Sequence, residues 1–213
     1  MTVPTVNSTI VVHAPLHTVC RAEHTMAMPA IESRRWTAAE VRALPQEPGK
    51  QYEVIDGELF VSPGPAFSHQ SVAVELTLLL RDYVRRDGIG YVLNGPGEIE
   101  PDLFTLVQPD IFVVPAIDGK LPVNWEAASR LLLVVEILSP SSGRTDRVRK
   151  RRLYQRMGVE YWIVDVSARV IERWLPKDER AELLDERLVW RADGTSDVLA
   201  VDITALFIRA LGE

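Results

Sequence analysis

The sequence predicts an α/β fold built around a central sheet. Residues 131–138 are apolar except for Glu136 and do not alternate with polar residues, which is typical of a strand covered on both faces. A helical period at 146–157 and a β-rich run at 161–164 follow, so that strand, helix and strand form a crossover. Upstream, apolar residues that recur at three- and four-residue intervals predict a long helix against this sheet.

The segments before the long helix carry start and turn signals. Thr37 and Glu40 have the spacing of a capping box, in which each side chain binds the backbone amide of the other, and this predicts a short helix. Residues 52–55 and 58–61 are joined by Asp56-Gly57, the dipeptide that suits a tight two-residue turn, and this predicts a β-hairpin.

The long helix and the remaining strands follow in order. The helix is ended by glycines at positions 88 and 90, and its apolar stripe consists of His69, Val72, Leu76, Leu79, Leu80 and Tyr83. Further strands are predicted at 90–93, 98–100 and 110–114, and after the crossover at 170–175 and within 182–190. A closing helix is predicted at 204–211.

Composition and length are those of an ordinary globular chain. The 213 residues are 46% hydrophobic and 25% charged, close to average values. We expect a flexible extension at 1–30 and a single domain at 31–213. The longest apolar run has five residues, against about 18 for a membrane span, and Cys20 is the single cysteine. We therefore expect a cytoplasmic protein that makes no membrane contact.

Basic residues are concentrated in one segment although the net charge is −6. The global charge does not favour nucleic-acid binding, but seven positive residues lie between positions 144 and 156 with a single acid among them. This segment is the expected nucleic-acid contact, and a solvated helix face is the alternative. The candidate binding residues are Arg144, Arg147, Arg149, Arg151 and Arg152.

Two acidic residues stand at apolar strands. Glu136 is a lone carboxylate in the central strand, and burying it unpaired would cost several kcal/mol unless a proton, a cation or a metal neutralises it. Asp110 opens the strand predicted at 110–114. A structural salt bridge and a turn residue are the respective alternatives. On adjoining strands the two acids would form an oxygen-rich pair suited to Mg²⁺ or Mn²⁺.

The order of motifs around these acids resembles the Uma2 family of restriction endonucleases, a branch of the PD-(D/E)XK nuclease superfamily. The resemblance runs over about residues 35–175 and is carried by Arg35-Trp36-Thr37, residues 52–58, His69, Gln108-Pro109-Asp110, residues 135–141, Asp146, Lys150, Tyr154 and residues 158–165. It implies a restriction-endonuclease-like core, an α/β (α+β) fold with a mixed central sheet flanked by helices. It also implies a Mg²⁺- or Mn²⁺-dependent hydrolase that cleaves phosphodiester bonds, with DNA as the expected substrate.

The sequence departs from the superfamily pattern at one position. The superfamily has a lysine two residues after the acid of the central strand, where this chain has Leu138. In the family the lysine is displaced to the following helix, and Lys150 is the matching residue. Lys150 shares an inward helix face with Leu153, Tyr154 and Met157, and Asp146 could orient it from four residues upstream. A solvated lysine is the alternative.

The resemblance implies the remaining site residues. Asp110, Glu136 and Lys150 are the catalytic candidates, and Asp110, Glu136 and Glu58 are the metal ligands. Glu53 or Asp56 would replace Glu58 under another register. His69 and Asp146 are secondary candidates, since a histidine in an apolar stripe is also typical of a core.

Two other functions are alternatives to the nuclease. A catalytically inactive nucleic-acid-binding or regulatory module on the same fold would use the arginine-rich helix alone. A small-molecule hydrolase would need a nucleophile elbow or a metal-binding motif that the sequence lacks. A homodimer is expected because cleavage of both strands of a duplex suits two-fold symmetry. The choice between DNA and RNA stays open at this point.

Overall fold

The computed structural model describes residues 34–139, 143–193 and 195–213, and the extension expected at residues 1–30 lies outside them. Its strands are β1 (Lys50–Ile55), β2 (Glu58–Pro63), β3 (Gly90–Asn94), β4 (Ile99–Asp102), β5 (Thr105–Val107), β6 (Ile111–Pro115), β7 (Leu133–Ile137), β8 (Glu160–Asp165), β9 (Val170–Trp174), β10 (Glu182–Leu184), β11 (Arg187–Trp190) and β12 (Leu199–Asp202). The α-helices outside the crossover are α1 (Ala38–Arg42), α2 (Phe67–Arg86), α3 (Trp125–Ala128) and α5 (Ile203–Leu211). The crossover helix, α4, consists of α-helical Gly143–Thr145, π-helical Asp146–Lys150 and α-helical Arg151–Arg156. None of the helices in these ranges is both long and apolar enough to span a bilayer.

The central sheet has six strands in the order β10-β9-β8-β7-β6-β3. β7 and β8 are parallel, joined by the predicted crossover through α4, and the other neighbouring pairs are antiparallel. The predicted mixed sheet flanked by helices is therefore confirmed. β7 lies between β6 and β8, so it is buried on both edges as well as on both faces.

Two hydrophobic layers explain why apolar and polar residues do not alternate along β7. Leu133, Val135 and Ile137 face the layer formed with α2 and α5. Val134 faces the opposite layer, to which α4 contributes Tyr154. Because both faces are covered, apolar residues are required at successive positions. Glu136 has the same parity as Val134 and therefore points toward α4.

A second sheet, in the order β2-β1-β5-β4, holds the predicted hairpin. Asp56 and Gly57 have φ angles of 54° and 86°, as a two-residue turn with two left-handed positions requires. Thr37 caps α1 in the predicted capping box, and α1 packs on the hairpin through Val41. β1 is an inner strand of this sheet, whereas β2 is an edge strand.

The structure differs from the sequence prediction in local features. β5, α3 and β12 were not predicted, since they have only three or four residues and are too short to show a period. The segment 182–190, where strand structure was predicted without a boundary, forms the two strands β10 and β11. The helix predicted at 146–157 is present, but it contains a π-turn, and such turns occur frequently at functional sites.

Candidate active site

A polar cleft of about 40 Å³ lies where the start of β6, the end of β7, β1, α2 and α4 meet. Its lining includes four carboxylates, one lysine and one histidine, which come from five different elements or their edges. These residues are Glu53, Asp110, Glu136, Asp146, Lys150 and His69. The fold thus gathers into one cleft acids that are up to 93 positions apart in the sequence.

Lys150 and Glu136 form the centre of this cleft. The Lys150 Nζ lies 2.9 Å from Glu136 Oε1 and 2.9 Å from Glu53 Oε2. Glu136 and Lys150 are 4% and 5% exposed, so their side chains are almost completely shielded from solvent. Tyr154, one helical turn after Lys150, donates its hydroxyl to Glu136 Oε1 at 3.3 Å. Lys150 therefore points toward the sheet, as the helix face shared with Leu153, Tyr154 and Met157 predicts.

The π-turn in α4 places Asp146 beside the same ammonium. Asp146 Oδ1 lies 3.7 Å from the Lys150 Nζ, and Asp146 is buried. The Tyr161 hydroxyl donates to the Asp146 backbone carbonyl at 3.4 Å, and Arg151 N–H donates to the same carbonyl. The wider turn is therefore tied to the sheet beneath it, and both ends of the π segment face the cleft.

Asp110 is held at the mouth of the cleft by two donors. The backbone amide of Ile137 donates to Asp110 Oδ2 at 2.7 Å, and His69 Nε2 lies 3.0 Å from the same oxygen. Because Ile137 follows Glu136, this hydrogen bond fixes Asp110 next to the central-strand acid. His69, on the first turn of α2, thus contacts the site as well as belonging to the apolar stripe.

Burial and charge shift the proton affinities in the cleft. Burial raises the pKa of Glu136 well above its usual range; Lys150 opposes this effect, and the Asp110 carboxylate adds to it. Burial alone would lower the pKa of Lys150, but the carboxylates of Glu136, Glu53 and Asp146 outweigh it and raise that pKa well above the usual value. The cleft therefore retains the Lys150 ammonium, and Glu136 holds a proton more tightly than an exposed glutamate does.

The donor set of the cleft fits a hard divalent cation. Four carboxylates surround a single ammonium and a histidine, so negative charge is in excess. Burial raises the pKa of Glu136 most, and the neighbouring carboxylates add to that effect. Mg²⁺ is bound by few carboxylates and keeps several waters. Asp110 and Glu136 alone could supply such ligands. Across the described ranges, no three His, Cys, Asp or Glu side chains already converge in ligating geometry, and Lys150 occupies the space between Glu53 and Glu136.

Glu58 is not brought to the cleft, and the preference for it over Glu53 has to be corrected. Glu58 is 54% exposed and pairs with Arg149 at 2.7 Å. It opens the edge strand β2 beside the turn, whereas Glu53 lies on the inner strand β1 and accepts a hydrogen bond from Gln108 N at 2.7 Å. The sequence signal that could have favoured Glu53 is its position within the apolar residues 52–55.

The arginines of α4 fall into two groups. Arg147 binds Glu172 and Asp165, at 2.6 Å and 3.0 Å, on the neighbouring strands. Arg149 pairs with Glu58, and the guanidinium of Arg151 lies over the Trp174 ring at 4.8 Å. Within the described part of the chain, the exposed Arg144 and Arg152 form no ion pair. The predicted basic face is thus largely engaged by the protein itself.

Comparisons with known proteins agree with this architecture. The model of the Uma2 family, described as "Putative restriction endonuclease", matches residues 38–207. Five solved chains match the structure, among them the crystal structure of a putative nuclease belonging to DUF820 from Anabaena variabilis. That chain is 20% identical, with a TM-score of 0.66 over 82% of this chain and 99% of its own. At 20% sequence identity, this structural similarity shows only that the two chains share a fold. No curated protein matches the chain.

Proposed function

Because this chain belongs to the Uma2 family, we propose that it is a nuclease, specifically an endonuclease that uses a divalent metal ion to hydrolyse phosphodiester bonds of DNA. The observation that carries this proposal is the meeting of Asp110, Glu136 and Lys150 in one cleft. One of the solved structures that match this chain is itself named a putative nuclease.

Asp110 and Glu136 are the residues proposed to hold the ion, with Glu53 in place of Glu58 as a further acid nearby. A bound Mg²⁺ or Mn²⁺ would supply a Lewis acid and an activated water at neutral pH. The Ile137 amide and His69 both contact Oδ2 of Asp110. The carboxyl group is therefore fixed, and with it the direction of its other oxygen, Oδ1. Such fixed supporting groups are typical of metal-ligating carboxylates.

Lys150 is proposed to position the attacking water and to stabilise the negative charge that develops on the phosphate. Its ammonium is already ordered by Glu136 and Glu53 at 2.9 Å each. A preorganised cation in a site with little water stabilises developing charge more strongly than the same group in solvent. The raised pKa of Lys150 keeps this charge present throughout the neutral range.

The nuclease proposal is tested by incubating plasmid DNA with the protein in EDTA, in Mg²⁺ and in Mn²⁺. We expect cleavage only with the divalent ions. Asp110→Asn should abolish it because the amide loses the charge that binds the ion, while circular dichroism and thermal unfolding stay near those of the wild type. Cleavage in EDTA would contradict the proposed metal dependence. An active Asp110→Asn variant would contradict the proposed role of Asp110.

One observation favours the inactive binding module as a second candidate. The Lys150 ammonium satisfies Glu53 and Glu136 by itself, so the cluster is also a complete buried ion-pair network. This candidate predicts DNA binding without cleavage under every metal condition. The plasmid assay, combined with a binding measurement, therefore separates the two functions.

Phosphate contacts should depend on Arg144 and Arg152, the exposed arginines of α4 that pair with no acid among the described residues. Arg152→Ala should weaken duplex binding and reduce the slope of log affinity against log salt by about one, because one phosphate contact is lost. Arg147→Ala is the matched control, since its guanidinium is held by Glu172 and Asp165 and should instead affect stability. The check is fluorescence anisotropy at several salt concentrations. An unchanged slope for Arg152→Ala would remove this residue from the interface.

The expected two-fold dimer belongs to the same proposal. Two copies would bring two clefts to the two strands of a duplex. Light scattering after size exclusion, with and without a short duplex, measures the mass directly. A monomer in both conditions would restrict the proposal to cleavage of one strand at a time.

A further inference from the structure

A groove of about 710 Å³ lies beside the catalytic cleft and is not used by the chemistry described above. One wall is α2, and the other is formed by β1, the β2–α2 connection and the turn after β3. Gln51, Pro65, His69 and Asp110 line both the groove and the cleft. A substrate whose phosphate lies at Asp110 would therefore extend directly into the groove.

The polar lining of the groove consists mainly of neutral carboxamides. Among the described lining residues Lys50 is the only lysine or arginine, and its ammonium pairs with Glu47 at 2.7 Å. Phosphate-binding surfaces are rich in such cations, so this surface does not suit a nucleic-acid backbone. Carboxamides instead donate to and accept from the edges of bases. Those in the lining are Gln46, Gln51, Gln70, Asn94 and Gln108.

The apolar part of the lining is presented to solvent by α2. Val74 is 57% exposed and Leu78 42% exposed, and both line the groove one helical turn apart. Between them the Thr77 hydroxyl accepts a hydrogen bond at 2.7 Å from Asn94 Nδ2, which ties the Asn94 carboxamide to α2. A flat group in the groove would thus meet both an apolar surface on α2 and the carboxamides of the lining.

We propose that this groove binds unpaired bases of the strand whose phosphate occupies the catalytic cleft. The inference rests on the proposed nuclease function and deepens it. Bases within a duplex are stacked and paired, so they cannot enter the groove without the cost of unstacking, which is lowest for single-stranded or mismatched DNA. The protein should therefore prefer single strands, frayed ends or mismatches to a perfect duplex.

The first test is binding by the full chain in EDTA, measured by fluorescence anisotropy with a labelled single strand, the same strand with abasic positions, and the matching duplex. The wild type should bind the intact single strand about tenfold or more tightly than the abasic strand. The double variant Val74→Ser/Leu78→Ser should lose most of this difference and bind the duplex as the wild type does. Ile208→Ser, at an exposed apolar position on α5, is the control and should change nothing.

Cleavage rates in Mn²⁺ separate this inference from the proposed function. A wild type that binds single strands by their bases but cleaves no nucleic acid would overturn the nuclease and leave the groove assignment standing. A wild type that cleaves duplex as fast as single strands, binds abasic and intact strands equally, or responds equally to all serine substitutions would overturn the groove assignment alone. If the double variant changes the oligomeric mass without changing strand binding, the surface belongs to a second copy of the chain, and the proposal fails.

Discussion

Replacing Lys150 with methionine is expected to lower the cleavage rate by about 10²-fold or more and the free energy of unfolding by about 3 to 5 kcal/mol. The ammonium is buried and contacts Glu53 and Glu136 at 2.9 Å each, so its removal leaves carboxylates uncompensated in a site with little water. Methionine has nearly the same length as lysine, so the packing changes less than it would with alanine. Chemical denaturation in EDTA measures the stability, and plasmid cleavage in Mn²⁺ measures the rate.

A divalent ion and a neighbouring arginine distinguish the two effects of this substitution. Mn²⁺ should raise the melting temperature of Lys150→Met more than that of the wild type, because the ion replaces the missing positive charge beside the acids. Arg149→Met is the matched control: its partner Glu58 is half exposed, and such a pair contributes no more than about 1 kcal/mol. If Lys150→Met unfolds and cleaves as Arg149→Met does, Lys150 is neither a catalytic group nor a part of the buried network.

The parts of the fold that the sequence predicts are those with a local physical signal. The uninterrupted apolar strand β7 and the stripe on α2 follow from burial on defined faces, and the turn at Asp56-Gly57 follows from the backbone angles that it needs. β5 carries no such signal and is held by its partner strands in the folded chain. The local signal of α3 is one N-cap residue, Asn124, whose side chain accepts a hydrogen bond from Ala127 N at 3.0 Å.

The sequence indicates the candidate site where an acidic residue stands within or beside a run of apolar residues. Glu136 and Asp110 satisfy that condition at the ends of buried strands. The choice between Glu53 and Glu58 depends on which strand of the hairpin is paired on both sides, and this is decided by the pairing of β1 with the distant β5. The engagement of Arg147 by Glu172 and Asp165 likewise depends on strands that follow in the sequence. Helix periodicity alone cannot reveal either contact.

Glu136→Gln is expected to abolish cleavage while making the metal-free protein more stable at neutral pH. The amide cannot supply the negative charge that the ion requires, so cleavage should fall below detection. In the wild type the pKa of Glu136 is raised above its usual value of 4.5, chiefly by burial. The folded state therefore holds the proton more tightly than the unfolded state does. The stabilising contribution is complete below about pH 4.5 and is lost as the pH rises through the raised pKa.

The glutamine has no proton to lose, so the stability of the variant should be nearly flat in this pH range and exceed that of the wild type at pH 7 in EDTA. Glu172→Gln is the matched control, because it replaces another buried strand carboxylate whose partner is Arg147 at 2.6 Å. The substitution leaves Asp165 as the only carboxylate that the described residues pair with Arg147, so stability should fall while cleavage persists. Thermal unfolding between pH 4 and pH 8 measures both variants. A Glu136→Gln protein that is less stable than the wild type at pH 7 in EDTA would mean that the Lys150 ion pair outweighs burial, and that the four acids of the cleft are balanced without a metal ion.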